Sequence, residues 1–148
     1  MSQMYTLTIV KPDAFGSGRA GQIIAHLEAA GFVIVAARVK HLTRGEAEAF
    51  YSVHRERAFY GSLVDFMTSG PCMPLILRRH EAVSELRRVI GATDPAEADE
   101  GTVRALYAES KERNAIHASD SPENAEIEIA FFFAGTERLQ GNGHSGDD

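Results

Sequence analysis

A chain of 148 residues, 44% hydrophobic and 24% charged, has the composition of one globular domain. That length buries about 68–70% of the unfolded surface, enough for a core without staples. A single cysteine, Cys72, excludes an intrachain disulfide, and a net charge of −6 argues against a broad nucleic-acid-binding face, which is normally basic. There is no signal peptide and no apolar stretch long enough to span a bilayer, so the expected compartment is the cytoplasm, with no membrane partner.

Residues 5–10 alternate as a first strand, with Tyr5, Leu7, Ile9 and Lys11 on one face, and Pro12 stops it. Lys11 at the strand end reaches toward a ligand or snorkels to water, and the residues alone favour snorkelling. Gly16 to Gly18 read as a loop, without the Gly-Lys-Ser/Thr of a phosphate loop. Ala20, Ile23, Ile24 and Leu27 trace a helical face that Gly31 ends. Residues 32–39 are apolar on both faces, as in a central strand. Thr43 and Glu46 form a capping box for a helix carrying Ala47, Phe50, Tyr51 and His54 along one side.

A second helical segment carries Leu63, Phe66 and Met67, and Gly70-Pro71 ends it. Residues 73–77 read as a strand, in which Pro74 suggests an edge position or a bulge. Cys72 beside it reads as a buried, inert thiol. Val83, Leu86, Arg87 and Ile90 share one stripe of the next helix. Arg87 is its polar intruder and needs an anion, from a structural carboxylate or a ligand phosphate. Residues 91–101 form a polar loop, and Thr102 caps a short helix with Arg104 and Tyr107.

His117 ends a short extended run. Ser121 follows as a helix N-cap with Pro122 at the first helical position, and Asp120 and Glu123 have the spacing of a capping box. Ser119 lies two residues from His117, on the same side of an extended chain. Glu128 interrupts the apolar stripe Ala125, Ile129, Phe132, and a carboxylate there needs a partner. The imidazole is the natural one, directly or through the Ser119 hydroxyl. Residues 135–148 read as a flexible polar tail behind a domain spanning residues 1–134.

Strands and helices alternate in an order that gives an α+β, ferredoxin-like sandwich: a four-stranded antiparallel sheet covered by helices. One histidine, a lysine, arginines, a loop threonine and an aromatic suit phosphate chemistry, not peptide hydrolysis or hydride transfer. Histidine is a nucleophile toward phosphorus when neutral. The histidines show no close ligand spacing, so no protein-only metal site is expected.

Residues 114–121, Asn-Ala-Ile-His-Ala-Ser-Asp-Ser, closely resemble the active-site signature of nucleoside diphosphate kinases. The resemblance runs from about Tyr5 to Phe133. It includes Lys11-Pro12-Asp13, His54-Arg55-Glu56-Arg57 with Phe59, Ser69-Gly70-Pro71 and Gly91-Ala92-Thr93-Asp94-Pro95. It implies the same ferredoxin-like fold and a ping-pong transfer of the γ-phosphate of a nucleoside triphosphate, chiefly ATP, to nucleoside diphosphates through phosphohistidine at His117. It further implies that Arg87, Thr93 and Arg104 hold the nucleotide phosphates with Mg²⁺, that Lys11 and Asn114 contact the ribose hydroxyls and phosphate chain, and that Phe59 stacks on the base. Tyr51 would assist at the transferred phosphoryl, while Ser119 and Glu128 orient His117. Mg²⁺ would be held mainly by the nucleotide phosphates, and the family's habit is a homo-oligomer, hexamer or tetramer. The alternatives are a non-catalytic nucleotide-binding regulatory module, a nucleic-acid binder on the sheet, and a histidine phosphatase.

Overall fold

The structure is a computed structural model and describes residues 3–137. In chain order it runs β1 (Tyr5–Val10), α1 (Pro12–Gly16), α2 (Ala20–Ala29), β2 (Val33–Ala37), α3 (Arg44–Phe50), α4 (Tyr60–Met67), β3 (Met73–Arg78), α5 (Ala82–Ile90), α6 (Val103–Tyr107), β4 (Ile116–Ala118) and α7 (Pro122–Phe132). The sheet order is β2-β3-β1-β4, and every neighbouring pair is antiparallel. This is the ferredoxin-like α+β sandwich expected from the sequence.

Strand alternation divides the core in two. Val10, Leu75, Leu77 and Ile116 point to the face covered by Ile23 and Leu27 of α2 and Leu86 and Ile90 of α5. Leu7, Ile9 and Ile76 point to the other, against Val64 and Met67 of α4 and Ile129 and Phe132 of α7. All of these are nearly or fully buried. His117 lies opposite Ile9 in the β1–β4 ladder, so its side chain leaves the sheet on the α7 face.

The helix starts follow local chemistry. Thr43 and Glu46 make both bonds of the capping box, Thr102 accepts from the Ala105 amide, and Ser121 accepts from the Asn124 amide with Pro122 behind it. The Asp120–Glu123 box does not form. Asp120 instead accepts from the Asn124 side chain at 2.6 Å, because Ser121 is the N-cap and places the capped amide at Asn124, one residue beyond Glu123.

Two strand assignments reverse. The segment expected to be central is the edge strand β2, half-open to solvent with Val33 47% exposed. The strand marked as an edge by Pro74 is the inner β3. Pro74 is tolerated there because its carbonyl accepts the Arg38 amide at 3.2 Å, just past the end of β2. The ladder bond that its nitrogen cannot give falls on the same side, where β2 has already ended. The sheet's irregularity lies elsewhere, in β2 between Ile34 and Ala36. Pro12 does end β1, and it also opens α1 as the first helical residue.

Residues 135–137 of the expected tail are helical, and residues 138–148 lie outside the described residues. Cys72 is buried, and burial pushes its thiol up to about 11, which fits an inert role. No helix of the described residues is long and apolar enough to cross a membrane.

Candidate active site

The His117 imidazole is held by three neighbours. Its Nε2 lies 2.8 Å from Glu128 Oε1, and the Ser119 hydroxyl donates to the same oxygen at 2.7 Å. A carboxylate can only accept, so the ring proton belongs on Nε2 and Nδ1 carries the lone pair. Nδ1 has no partner among the described residues. Two aromatic rings fix the plane: Phe50 edge-on with centroids 5.4 Å apart, and Tyr51 at 6.3 Å and 89°. The direct histidine–carboxylate contact decides between the two routes that the sequence left open.

The backbone entering β4 is unusual. Ala115 has φ +76°, and the Ile116 amide donates to the Asn114 carbonyl at 2.9 Å, a three-residue γ-turn. Left-handed backbone costs a non-glycine residue about 1–2 kcal/mol. The turn is clamped from both sides by the segment after β1. Asp13 Oδ2 accepts the Ala115 amide at 3.0 Å, and the Lys11 amide donates to the Ala115 carbonyl at 2.9 Å.

Beside the histidine lies a cavity of about 530 Å³, lined among others by Lys11, Tyr51, Phe59, Arg87, Thr93, Arg104, Asn114, His117 and Glu128. With Ser119 behind the carboxylate, it gathers every site residue expected from the sequence. Lys11 does not snorkel. It is buried, and its ammonium donates to Asn114 Oδ1 at 2.8 Å. Burial, and then the nearby Arg104 charge, bring it down to about 8. Asn114 in turn donates to the Thr93 carbonyl at 3.2 Å, tying the polar loop to the turn.

Arg104 is buried and donates to the carbonyls of Gly91 at 3.1 Å and Ile116 at 2.7 Å. Burial first, and the Arg87 charge second, lower it to about 10. Arg87 does not lie on the buried face of α5. It is exposed at the cavity, with Nη1 only 3.5 Å from the Ala118 carbonyl. No carboxylate pairs with Lys11, Arg87 or Arg104 among the described residues, although Arg44, Arg79, Arg88 and Arg113 have such partners. Three cations converging with no carboxylate in ion-pair contact, although Asp13 and Glu112 act on Lys11 from further off, form an anion site.

The mouth of the cavity is apolar. Phe59 is 44% exposed, with the Arg57 guanidinium 5.7 Å from its ring centre. Tyr51 is buried, its hydroxyl has no partner among the described residues, and burial raises its pKa. It is therefore a neutral donor at the base of the cavity.

Sequence reasoning missed three residues here. Phe50 was taken for core, and its contact with the imidazole has no local signal. Asp13 was quoted within a motif but given no task, although a carboxylate following Pro at a strand end invites a search for its partner. Asp120 was taken for a helix cap, yet it also lines the cavity.

Residues 4–138 match the family model described as nucleoside diphosphate kinase. The chain belongs to the nucleoside diphosphate kinase family. It is an enzyme, a nucleotide-binding phosphotransferase. It is 59% identical over 137 residues to the nucleoside diphosphate kinase of Chlorobium chlorochromatii, covering 93% of this chain and 98% of the relative. It is 58% identical over 132 residues to that of Chlorobaculum tepidum, covering 89% and 94%. The crystal structure of the Aquifex aeolicus nucleoside diphosphate kinase superposes with a TM-score of 0.88 at 45% identity, covering 90% of this chain and 96% of that one.

Proposed function

We propose that the enzyme moves the γ-phosphate of a nucleoside triphosphate, chiefly ATP, to a nucleoside diphosphate through a phosphohistidine at His117 Nδ1. The observation that carries this reading is the division of labour within the imidazole. Nε2 is engaged by Glu128 at 2.8 Å, and Nδ1 is left as the lone-pair nitrogen beside a cavity where Lys11, Arg87 and Arg104 converge.

In the first half-reaction the Nδ1 lone pair attacks the γ-phosphorus. The bond to the β–γ bridging oxygen breaks, and the nucleoside diphosphate leaves with that electron pair. The ring becomes cationic as the N–P bond forms, and Glu128 stabilises it through the Nε2 proton. In the second half-reaction a terminal β-phosphate oxygen of the acceptor attacks the same phosphorus, and the N–P bond electrons return to the ring. Each half-reaction reverses the other at one site, so one set of residues serves both. Arg87, Arg104 and Thr93 bind phosphate oxygens, Lys11 and Asn114 reach the ribose hydroxyls and the phosphate chain, and the Tyr51 hydroxyl donates at the transferred group. Phe59 stacks on the base, which every base permits, so nucleobase discrimination is weak. Catalysis of this kind rests on positioning and charge.

Mg²⁺ is the expected cofactor. Among the described residues no group of three histidine, cysteine or carboxylate side chains could hold a metal by itself. The cavity has one carboxylate apart from that of Glu128, Asp120. This donor set fits an ion held chiefly by phosphate oxygens with Asp120 beside it. When bound, Mg²⁺ neutralises charge on the phosphate chain.

The reading also implies a cytoplasmic enzyme, close to its nucleotide pool, and a homo-oligomer, hexamer or tetramer. The open edge of β2, with Val33 and Val39 exposed, supports self-association. Light scattering that gives a monomer at micromolar concentration would refute the assembly.

The test uses ATP labelled at the γ-phosphate, with wild type and His117→Ala, followed by a GDP chase. Acid-labile label on wild type alone, passing to GTP, is expected. Label released as free phosphate, or absent despite nucleotide binding, overturns the reading.

A further inference from the structure

Asp13 is the one buried carboxylate in the neighbourhood of the site that the transfer described above does not use. It is 7% exposed. One oxygen accepts the Ala115 amide at 3.0 Å, and the other has no partner among the described residues. The residue it grips has a conformation that an alanine does not choose: φ is +76° inside a γ-turn closed by the Ile116 amide on the Asn114 carbonyl. Nothing in an Ala-Ile-His sequence favours such a turn, so it persists only where its surroundings impose it. Asn114 and His117 lie on its two sides. Asn114 carries the bond to the Lys11 ammonium, and His117 carries the free nitrogen. A relaxed, extended Ala115 would rotate Asn114 and shift the start of β4 relative to β1.

We propose that Asp13 is a positioning residue for phosphoryl transfer, whose carboxylate holds the left-handed turn at Ala115 and so sets Asn114 and the His117 nitrogen in register with each other. This rests on the phosphohistidine reading above. Asp13 makes no hydrogen bond to the imidazole or to the lysine ammonium, and its charge favours the protonated Lys11, so Asp13→Asn, which loses the charge and keeps the acceptor oxygen, separates the clamp on the backbone from that electrostatic effect. The Lys11 amide assists by holding the Ala115 carbonyl, which makes residues 11–13 a two-point clamp on the turn.

The proposal has a specific genetic signature. If Asp13 serves to stabilise a positive φ, a residue that adopts positive φ freely should make it dispensable. The experiment measures single-turnover labelling of the protein by γ-labelled ATP in Asp13→Ala, Asp13→Asn, Ala115→Gly and Asp13→Ala/Ala115→Gly. Displacements near 1 Å cost on the order of 10²-fold in rate, so Asp13→Ala is expected to label about 30–100-fold more slowly while nucleotide affinity changes less than about threefold. Asp13→Asn keeps an acceptor oxygen in an isosteric side chain and should stay within about fivefold of wild type. Ala115→Gly alone should be close to wild type, and the double variant should recover at least about tenfold over Asp13→Ala.

Wild-type labelling by Asp13→Ala overturns the proposal, and so does a slow double variant with no recovery. Amide hydrogen exchange at Ala115 reads the clamp without using activity. Asp13→Ala should speed exchange there, and unchanged protection overturns the proposal even if labelling falls. If wild type itself takes no label at His117, the phosphohistidine reading fails while the exchange result still reports on the clamp, so the two failures are distinguishable.

Discussion

Replacing Glu128 by glutamine tests whether charge, beyond geometry, drives the transfer. Both the imidazole Nε2, at 2.8 Å, and the Ser119 hydroxyl, at 2.7 Å, bond to Glu128 Oε1, and the glutamine amide oxygen can accept both in the same place. Tautomer and ring position are thus retained while the negative charge is lost. The ring is neutral before attack and cationic as the N–P bond forms, so the charge acts mainly in the transition state. A carboxylate about 4 Å from a unit charge is worth about 4 kcal/mol at an effective dielectric of 20. The charge-assisted bond alone is about 1–2 kcal/mol stronger than its neutral counterpart. The two side chains are 19% and 20% exposed, so solvent screening places the answer between these limits. We expect Glu128→Gln to slow phosphohistidine formation by about 10- to 100-fold. Nucleotide affinity should hardly move, since the lost charge lies behind the imidazole. Rapid-quench labelling with γ-labelled ATP gives the rate, and equilibrium binding of a non-hydrolysable analogue gives the affinity. A loss of less than threefold, or one matched by an equal loss of affinity, would refute the assignment of Glu128.

Tyr51→Phe removes a buried hydroxyl with no partner among the described residues. Such a group costs about 1–3 kcal/mol to bury, so Tm should hold or rise while labelling slows several-fold; a marked drop in Tm would show that the hydroxyl has a structural partner. Phe59→Ala should weaken nucleotide binding by about 1–3 kcal/mol for every base alike, and a loss confined to purines or to pyrimidines in competition binding would contradict simple stacking. Lys11 has a folded pKa of about 8 against 10.5 for the free side chain. Above pH 8 the unfolded chain therefore holds more protons at this group, and its penalty to stability is relieved as pH rises. Cys72, raised to about 11 from 9.0, acts oppositely above pH 9, since its unfolded form loses a proton first. Urea denaturation at pH 7, 8, 9 and 10 should therefore show wild type gaining on Lys11→Met with rising pH. A constant difference would mean that Lys11 is not depressed, and saturating nucleoside triphosphate should abolish the gain by holding Lys11 charged.

Much of the molecule was legible because its signals are local and periodic. Thr43 with Glu46, Thr102, and Ser121 with Pro122 each name a helix start, and all three hold. The histidine relay was legible for the same reason. A two-residue strand period puts Ser119 beside His117, and a helical period puts Glu128 on the buried stripe of the next element. Strand order was not legible. Residues 32–39 are apolar enough for a central strand, but position in a sheet depends on which partners the chain brings to each side. Pro74 misled because a proline lacks only one bond, which an inner strand can forgo where its neighbour has already ended.

The remaining failures concentrate where the chemistry is. Lys11 is buried where water was the locally favoured destination, Arg87 leaves the stripe its spacing assigned to it, and Ala115 takes a backbone conformation that its residue type disfavours. Burying an ammonium, crowding like charges and twisting an alanine all oppose folding. In the proposed function a polyanion in the cavity gives the cations a counter-charge, while the turn at Ala115 is held by Asp13. Local rules fail at Lys11 and Arg87 because, in the proposed function, the counter-charge is the substrate's and is not encoded in the chain, and they fail at Ala115 because its partner, Asp13, lies 102 residues away in the sequence.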